Sequence, residues 1–116
     1  MVNAFPKKEK LKSRKIIGQL FDVGNTTSKY PVKLFFLKME TFENHQAAFA
    51  VPKRNFKSAV TRNRIKRQLR EAYRLQKSRL PKKEKDHYAL LFLYIGKEKT
   101  SYGQLEKAMI TLLNKL

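Results

Sequence analysis

Apolar residues in this chain keep a helical period first, then a strand period, then alternate between the two. Ile16, Ile17, Leu20 and Phe21 recur at helical spacing behind Ser13, a candidate N-cap, and Gly24 closes the pattern as a C-terminal cap. From Tyr30 to Glu40 the period shortens to two: Val32, Leu34 and Phe36 point one way, Lys33, Phe35 and Leu37 the other. Asn25 to Ser28, polar throughout, reads as a loop between them, and Thr41 to Asn44 as a turn. A second strand is predicted from His45 to Val51, with Ala47, Phe49 and Val51 on one face and Gln46, Ala48 and Ala50 on the other. Pro52 has no N–H to give to a ladder and ends it.

The stretch from Ser58 to Arg74 returns to helical spacing, capped by Ser58 or Thr61 and running to about Leu80, where Pro81 stops it. Ile65, Leu69, Ala72, Tyr73 and Leu80 gather on one side of this helix. Asn63, Arg67, Arg70 and Arg74 line the other, at spacings of four, three and four. Lys82 to Asp86 form a charged loop. His87 to Ile95 is apolar on both faces, as expected of a strand buried centrally between layers. Ser101 then caps a last helix with an apolar stripe of Leu105, Ala108, Met109, Leu112, Leu113 and Leu116. The fold expected is a two-layer α/β sandwich, helices covering a small mixed sheet, in a single domain over 1–116. Residues 1–12, basic and carrying Pro6, read as a flexible arm that either touches phosphates or is merely solvated.

Charge then changes what the central helix means. Against 27 Lys and Arg stand only 9 Asp and Glu, a formal net charge of +18. Such an excess opposes folding by self-repulsion, and a polyanionic partner relieves it. Arg62, Arg64, Lys66, Arg67, Arg70 and Arg74 share the helix with Glu71 as the one opposing acid. Arginine meets phosphate through a planar fork and stacks on bases, and Asn63 supplies a donor and an acceptor suited to a 2′-hydroxyl or a base edge. The loop before the helix adds Lys53, Arg54 and Lys57, so backbone N–H groups and side-chain charge meet at a helix N-terminus. A second candidate surface lies on the strands. Lys33 and Phe35 beside Ala48 and Ala50 make a shallow basic trough with an aromatic wall, suited to single-stranded nucleic acid. The alternative for Phe35 is packing beneath the first helix.

Other classes lose ground. With no cysteine, disulfides and thiolate metal sites are excluded. No apolar run approaches the roughly 20 residues that cross a bilayer, and the N-terminus lacks the apolar core of a signal peptide, so a cytoplasmic setting without membrane contact is expected. A nuclease working alone usually gathers carboxylates around divalent ions; here the acids are scattered, and His45 and His87 stand alone. There is no phosphate-binding or dinucleotide-binding glycine motif. The sequence holds a binding surface and no evident catalytic centre. A structural RNA-binding protein, such as a ribosomal protein, is the competing reading. A DNA-binding helix domain is disfavoured by the absence of helix-turn-helix spacing.

Ala59-Val-Thr-Arg-Asn-Arg-Ile-Lys-Arg-Gln-Leu-Arg-Glu-Ala-Tyr73 resembles the bacterial ribonuclease P protein subunit. The shared features are Arg62-Asn63-Arg64, the basic pair Lys66-Arg67, and Leu69 to Tyr73; the first helix, Val51-Pro-Lys-Arg54 and the last helix extend the likeness over nearly the whole chain. The resemblance implies an αβββαβα fold with a left-handed βαβ crossover. It also implies a function: pairing with a catalytic RNA that hydrolyses precursor tRNA, with Mg2+ serving the RNA and no cofactor held by the protein. Carried over by position, Arg62, Asn63, Arg64, Lys66, Arg67 and Arg70 touch the catalytic RNA, with Lys53, Arg54 and Arg74 alongside. Phe21, Lys33 and Phe35 line a cleft for the 5′ leader, with Ala48 and Ala50 at its floor. Ile17 stands there where the family often has an aromatic residue. The loop Arg54-Asn55-Phe56-Lys57 stands where the family often has glycine, and Phe56 either packs under the helix or stacks on RNA.

Overall fold

The computed structural model describes residues 6–80 and 87–116. The first five residues of the basic arm, Pro81 and the charged loop 82–86 therefore lie outside the described residues. Among the described residues three α-helices and four strands follow one another as α1 (Arg14–Val23), β1 (Asn25–Lys29), β2 (Val32–Lys38), β3 (Gln46–Ala50), α2 (Ala59–Gln76), β4 (Tyr88–Tyr94) and α3 (Tyr102–Asn114). Each helix starts on a serine: the Oγ atoms of Ser13, Ser58 and Ser101 accept the N–H of the third residue beyond, at 3.2, 3.4 and 3.3 Å. Of the two candidate caps for the central helix, Ser58 is the one used. Gly24 ends α1 as expected, and its reason is space, since a Cβ there would run into the Leu20 carbonyl.

The sheet order is β1-β2-β4-β3. β1 pairs antiparallel with β2, β2 antiparallel with β4, and β3 parallel with β4. The last strand in the chain is thus an inner strand, as its apolar character on both faces predicted. One correction concerns Asn25-Thr-Thr-Ser-Lys29. The loop expected over Asn25 to Ser28 is instead part of this strand on the sheet's edge, with only Thr27 half-buried. A strand that buries neither face carries no alternating signal for a sequence reading to find. A smaller correction concerns α2, which ends at Gln76 and passes into a short 3-10 turn, Lys77–Arg79, that still delivers Leu80 to the core.

Two apolar clusters lie on opposite faces of the sheet. The larger unites Val32, Leu34, Leu90, Phe92 and Tyr94 with Ile65, Leu69, Ala72 and Tyr73 of α2 and the stripe of α3. This is the two-layer sandwich. The smaller unites Phe35, Ala89 and Leu91 with Leu11 and Leu20, and α1 contributes Ile16 and Ile17 at its margin. α1 therefore covers the reverse face, and covers it incompletely. Leu11 donates its N–H to the Ala47 carbonyl at 2.9 Å, so the chain before α1 runs along the outer edge of β3. Phe56 packs against the larger cluster, its ring centroid 5.7 Å from that of Tyr94, which decides its role in favour of packing.

Candidate nucleic-acid interface

α2 buries Ile65, Leu69, Ala72 and Tyr73 and turns its opposite side to solvent. Asn63, Arg64, Arg67 and Arg70 are all exposed there, and Lys66 is half-buried at the flank. Two of the arginines predicted for this surface have other partners. Arg74 Nε donates to Glu71 Oε2 at 3.0 Å, with a second bond to the other carboxylate oxygen. The Arg74 hydrogen bond holds the Glu71 carboxyl below its ordinary range, so this pair stays ionised and its charges offset each other. Arg62 points back instead. Its Nη1 donates to the carbonyls of Phe56 and Lys57 at 2.7 and 2.9 Å.

The reverse face of the sheet forms a trough. Strand register sets its floor in two rows. Thr26, Phe35, Leu91 and Ala48 lie side by side in one; Ser28, Lys33, Leu93 and Ala50 in the next. Neighbouring strands are about 4.8 Å apart, so Phe35 and Ala48 are separated by about 10 Å with Leu91 between them. The α1 wall carries Ile17, half-buried, and Phe21, 52% exposed. Phe35 is only 8% exposed and packs under α1, its ring centroid 4.9 Å from that of Phe21. The accessible aromatic surface of the trough is thus that of Phe21. Lys33 Nζ lies 5.1 Å from the Phe35 ring centroid, a cation–π placement that keeps its charge at the floor.

All six residues expected in the cleft, Ile17, Phe21, Lys33, Phe35, Ala48 and Ala50, belong to this face. Leu91 and Leu93 belong to it as well and were missed. β4 is apolar on both sides, so only its register shows which of its residues look into the trough.

Cations border the trough at one end and along one side. At one end Arg54, Asn55, Pro52, Leu93, Tyr94, Ile95 and Lys97 line a hollow of about 440 Å³. Arg54 is therefore placed with the trough, while Lys53 is exposed on the turn beside it. Along the outer edge of β3, Lys10, Lys12 and Arg70 border a hollow of about 250 Å³ floored by Ala47, Ala48 and Phe49. Arg70 thus stands between the α2 surface and the trough. Among the described residues no group of three or more His, Asp or Glu is arranged to hold a metal ion, and no helix is long and apolar enough to cross a membrane.

Comparison with known proteins identifies relatives of this chain and of its fold. The family model for ribonuclease P matches residues 5–116. The ribonuclease P protein component of Chlorobium phaeobacteroides is 33% identical over 130 residues, covering 99% of this chain and 89% of the relative. That of Porphyromonas gingivalis is 34% identical over 111 residues, covering 89% and 79%. Among solved structures, the Thermotoga maritima ribonuclease P protein superposes with a TM-score of 0.77 at 19% identity, over 93% of this chain and 97% of that one. The Staphylococcus aureus protein superposes with a TM-score of 0.75 at 16% identity, over 92% and 93%. At those identities the likeness is one of fold.

Proposed function

Because the chain belongs to the ribonuclease P protein family, we propose that it is the protein subunit of a ribonucleoprotein that matures the 5′ ends of tRNAs in the cytoplasm. Catalysis belongs to the RNA, served by Mg2+, and the protein contributes two contact surfaces. Asn63, Arg64, Lys66, Arg67 and Arg70 meet the catalytic RNA along the solvent side of α2, with Lys53 beside them. The trough of Phe21, Lys33, Leu91, Leu93, Ala48 and Ala50 takes the leader of precursor tRNA, and Arg54 and Lys97 meet its phosphates at the exit.

The observation that carries this reading is the partition of cations and apolar groups between the two surfaces. The α2 surface is convex and rich in arginine, suited to the outside of a folded RNA, whose phosphates it neutralises. The trough is lined by small and aliphatic side chains, with Lys33 at its floor and the half-exposed ring of Phe21 on its wall. Its chemistry is that of base stacking with phosphate tracking, which suits a single strand.

The experiment is reconstitution. Adding the pure protein to a ribonuclease P RNA at low magnesium is expected to stimulate 5′ cleavage of precursor tRNA. Rates equal to those of RNA alone would refute the proposal; cleavage by the protein without RNA would refute the assignment of catalysis.

A further inference from the structure

The loop between β3 and α2 has to present Arg54 and Asn55 to the hollow at the end of the trough. It has little of its own to hold it there. A turn closes from Asn55 N–H to the Pro52 carbonyl at 3.3 Å. No residue of the loop is a glycine, and no described residue has a positive φ, so the turn is made from ordinary backbone. The carbonyls of Phe56 and Lys57 precede the Ser58 cap and lie outside the helical ladder. Both are taken by a single guanidinium nitrogen, Arg62 Nη1. The Phe56 ring is seated against Tyr94, whose hydroxyl donates to the Glu98 carbonyl and lies 3.4 Å from Thr100 Oγ1. Arg62 and Phe56 thus pin the loop from two sides, one by charge-assisted hydrogen bonds and one by packing.

We propose that Arg62 is a positioning residue: it fixes the loop 52–57 so that Arg54 and Asn55 meet the leader, and it does not act as one more phosphate contact on the catalytic RNA. The half-burial of Arg62 separates it from Asn63, Arg64, Arg67 and Arg70, which are exposed on the same helix. The inference rests on the two-surface reading above and deepens it, because the helix that grips one RNA also sets the geometry of the site for the other. Lysine is a poor replacement. It keeps the charge but offers a strongly hydrated point charge on a flexible stem in place of a planar, pre-organised group.

The test compares Arg62→Ala and Arg62→Lys with Arg54→Ala and with the double variant Arg62→Ala/Arg54→Ala. Three quantities are measured: amide hydrogen exchange across 52–57 in the free protein, the preference for leader-bearing over mature tRNA in the assembled particle, and the salt dependence of binding to the catalytic RNA. Exchange at Asn55 is expected to quicken in both Arg62 variants. Leader preference is expected to fall at least as far as in Arg54→Ala, and no further in the double variant than in Arg62→Ala. The salt slope is expected to stay that of the unmodified protein. A slope reduced by about one unit in Arg62→Ala, with leader preference intact, is the signature of a direct phosphate contact and overturns the proposal. Unchanged exchange overturns it as well. Faster exchange in a protein whose unmodified form shows no leader preference keeps the clamp and refutes the leader site it was proposed to serve. Arg62→Lys carries the same comparison if Arg62→Ala does not fold.

Discussion

The two surfaces of this molecule are built in opposite ways. The α2 surface comes from one element: eighteen consecutive residues set its shape, and the 100° step of a helix sets its spacing. The trough comes from α1 and four strands, with its floor drawn from residues as far apart in sequence as Ser28, Lys33, Ala50 and Leu93. The first is robust because it is local. The second exists only if register and helix docking are right. Damage should therefore look different on the two sides, graded and additive on α2, abrupt on the trough.

The largest expected effect separates packing from contact within the trough itself. Phe35→Ala removes a ring that is nearly buried under α1 and is expected to cost about 3 kcal/mol of stability, in line with core phenylalanine truncations; thermal or denaturant unfolding measures it. Phe21→Ala should lower stability less, by about 1 kcal/mol, since its ring is half exposed and its packing is mainly the one contact with Phe35. Its main expected loss is in binding, about 1–3 kcal/mol for leader-bearing tRNA and none for mature tRNA, the range of one base–aromatic stack. Equal losses for both tRNAs would assign Phe21 to packing after all.

On the other side, Arg67→Ala is expected to weaken binding to the catalytic RNA uniformly across substrates and to reduce the salt slope by about one unit. Leader preference should not change. A change there would show that the two surfaces are not separable at this position.

The smallest effect runs the other way. Glu71 neutralises Arg74 through a two-point ion pair. Glu71→Gln ends that neutralisation and is expected to raise affinity for the catalytic RNA slightly and steepen its salt dependence. Acid does the same reversibly. The folded carboxyl is held below its ordinary range, so the pair is intact above that range and is lost as pH falls through the lowered value. A titration of RNA affinity that is flat across acid pH in the unmodified protein, and equally flat in Glu71→Gln, would remove Arg74 from the interface.

The same contrast explains what the sequence made legible. The buried side of α2 could be read residue by residue, because Ile65, Leu69, Ala72 and Tyr73 follow a period that no other structure shares. The inner position of β4 was legible for a similar reason, as an apolar run on both faces needs cover on both. Its individual roles were hidden by that very property. Leu91 and Leu93 face the trough while Leu90 and Phe92 face α2 and α3, and four apolar neighbours in a row give no hint of which is which. β1 escaped because it is polar throughout and buries only part of Thr27, so its side chains show no alternation. Arg62 looked like its neighbours on composition, and only the path of the preceding loop showed that its charge turns inward.

The position of β4 also has a consequence for biosynthesis. β2 and β3 do not touch each other; each pairs with β4, and β4 is the last strand in the chain. While the polypeptide is still emerging, the backbone hydrogen bonds of α2 are all local and can begin to form before the sheet exists. The sheet must wait for Tyr94. Between those moments the nascent chain displays a cationic helix with no trough beside it, in a compartment crowded with RNA. A chain ending at Gln76 is accordingly expected to bind RNA without selectivity and to melt without cooperativity. Circular dichroism and competition with mature tRNA would detect both. If the trough is the leader site proposed above, discrimination between leader and tRNA body is acquired late in synthesis, when the final strand closes the sheet.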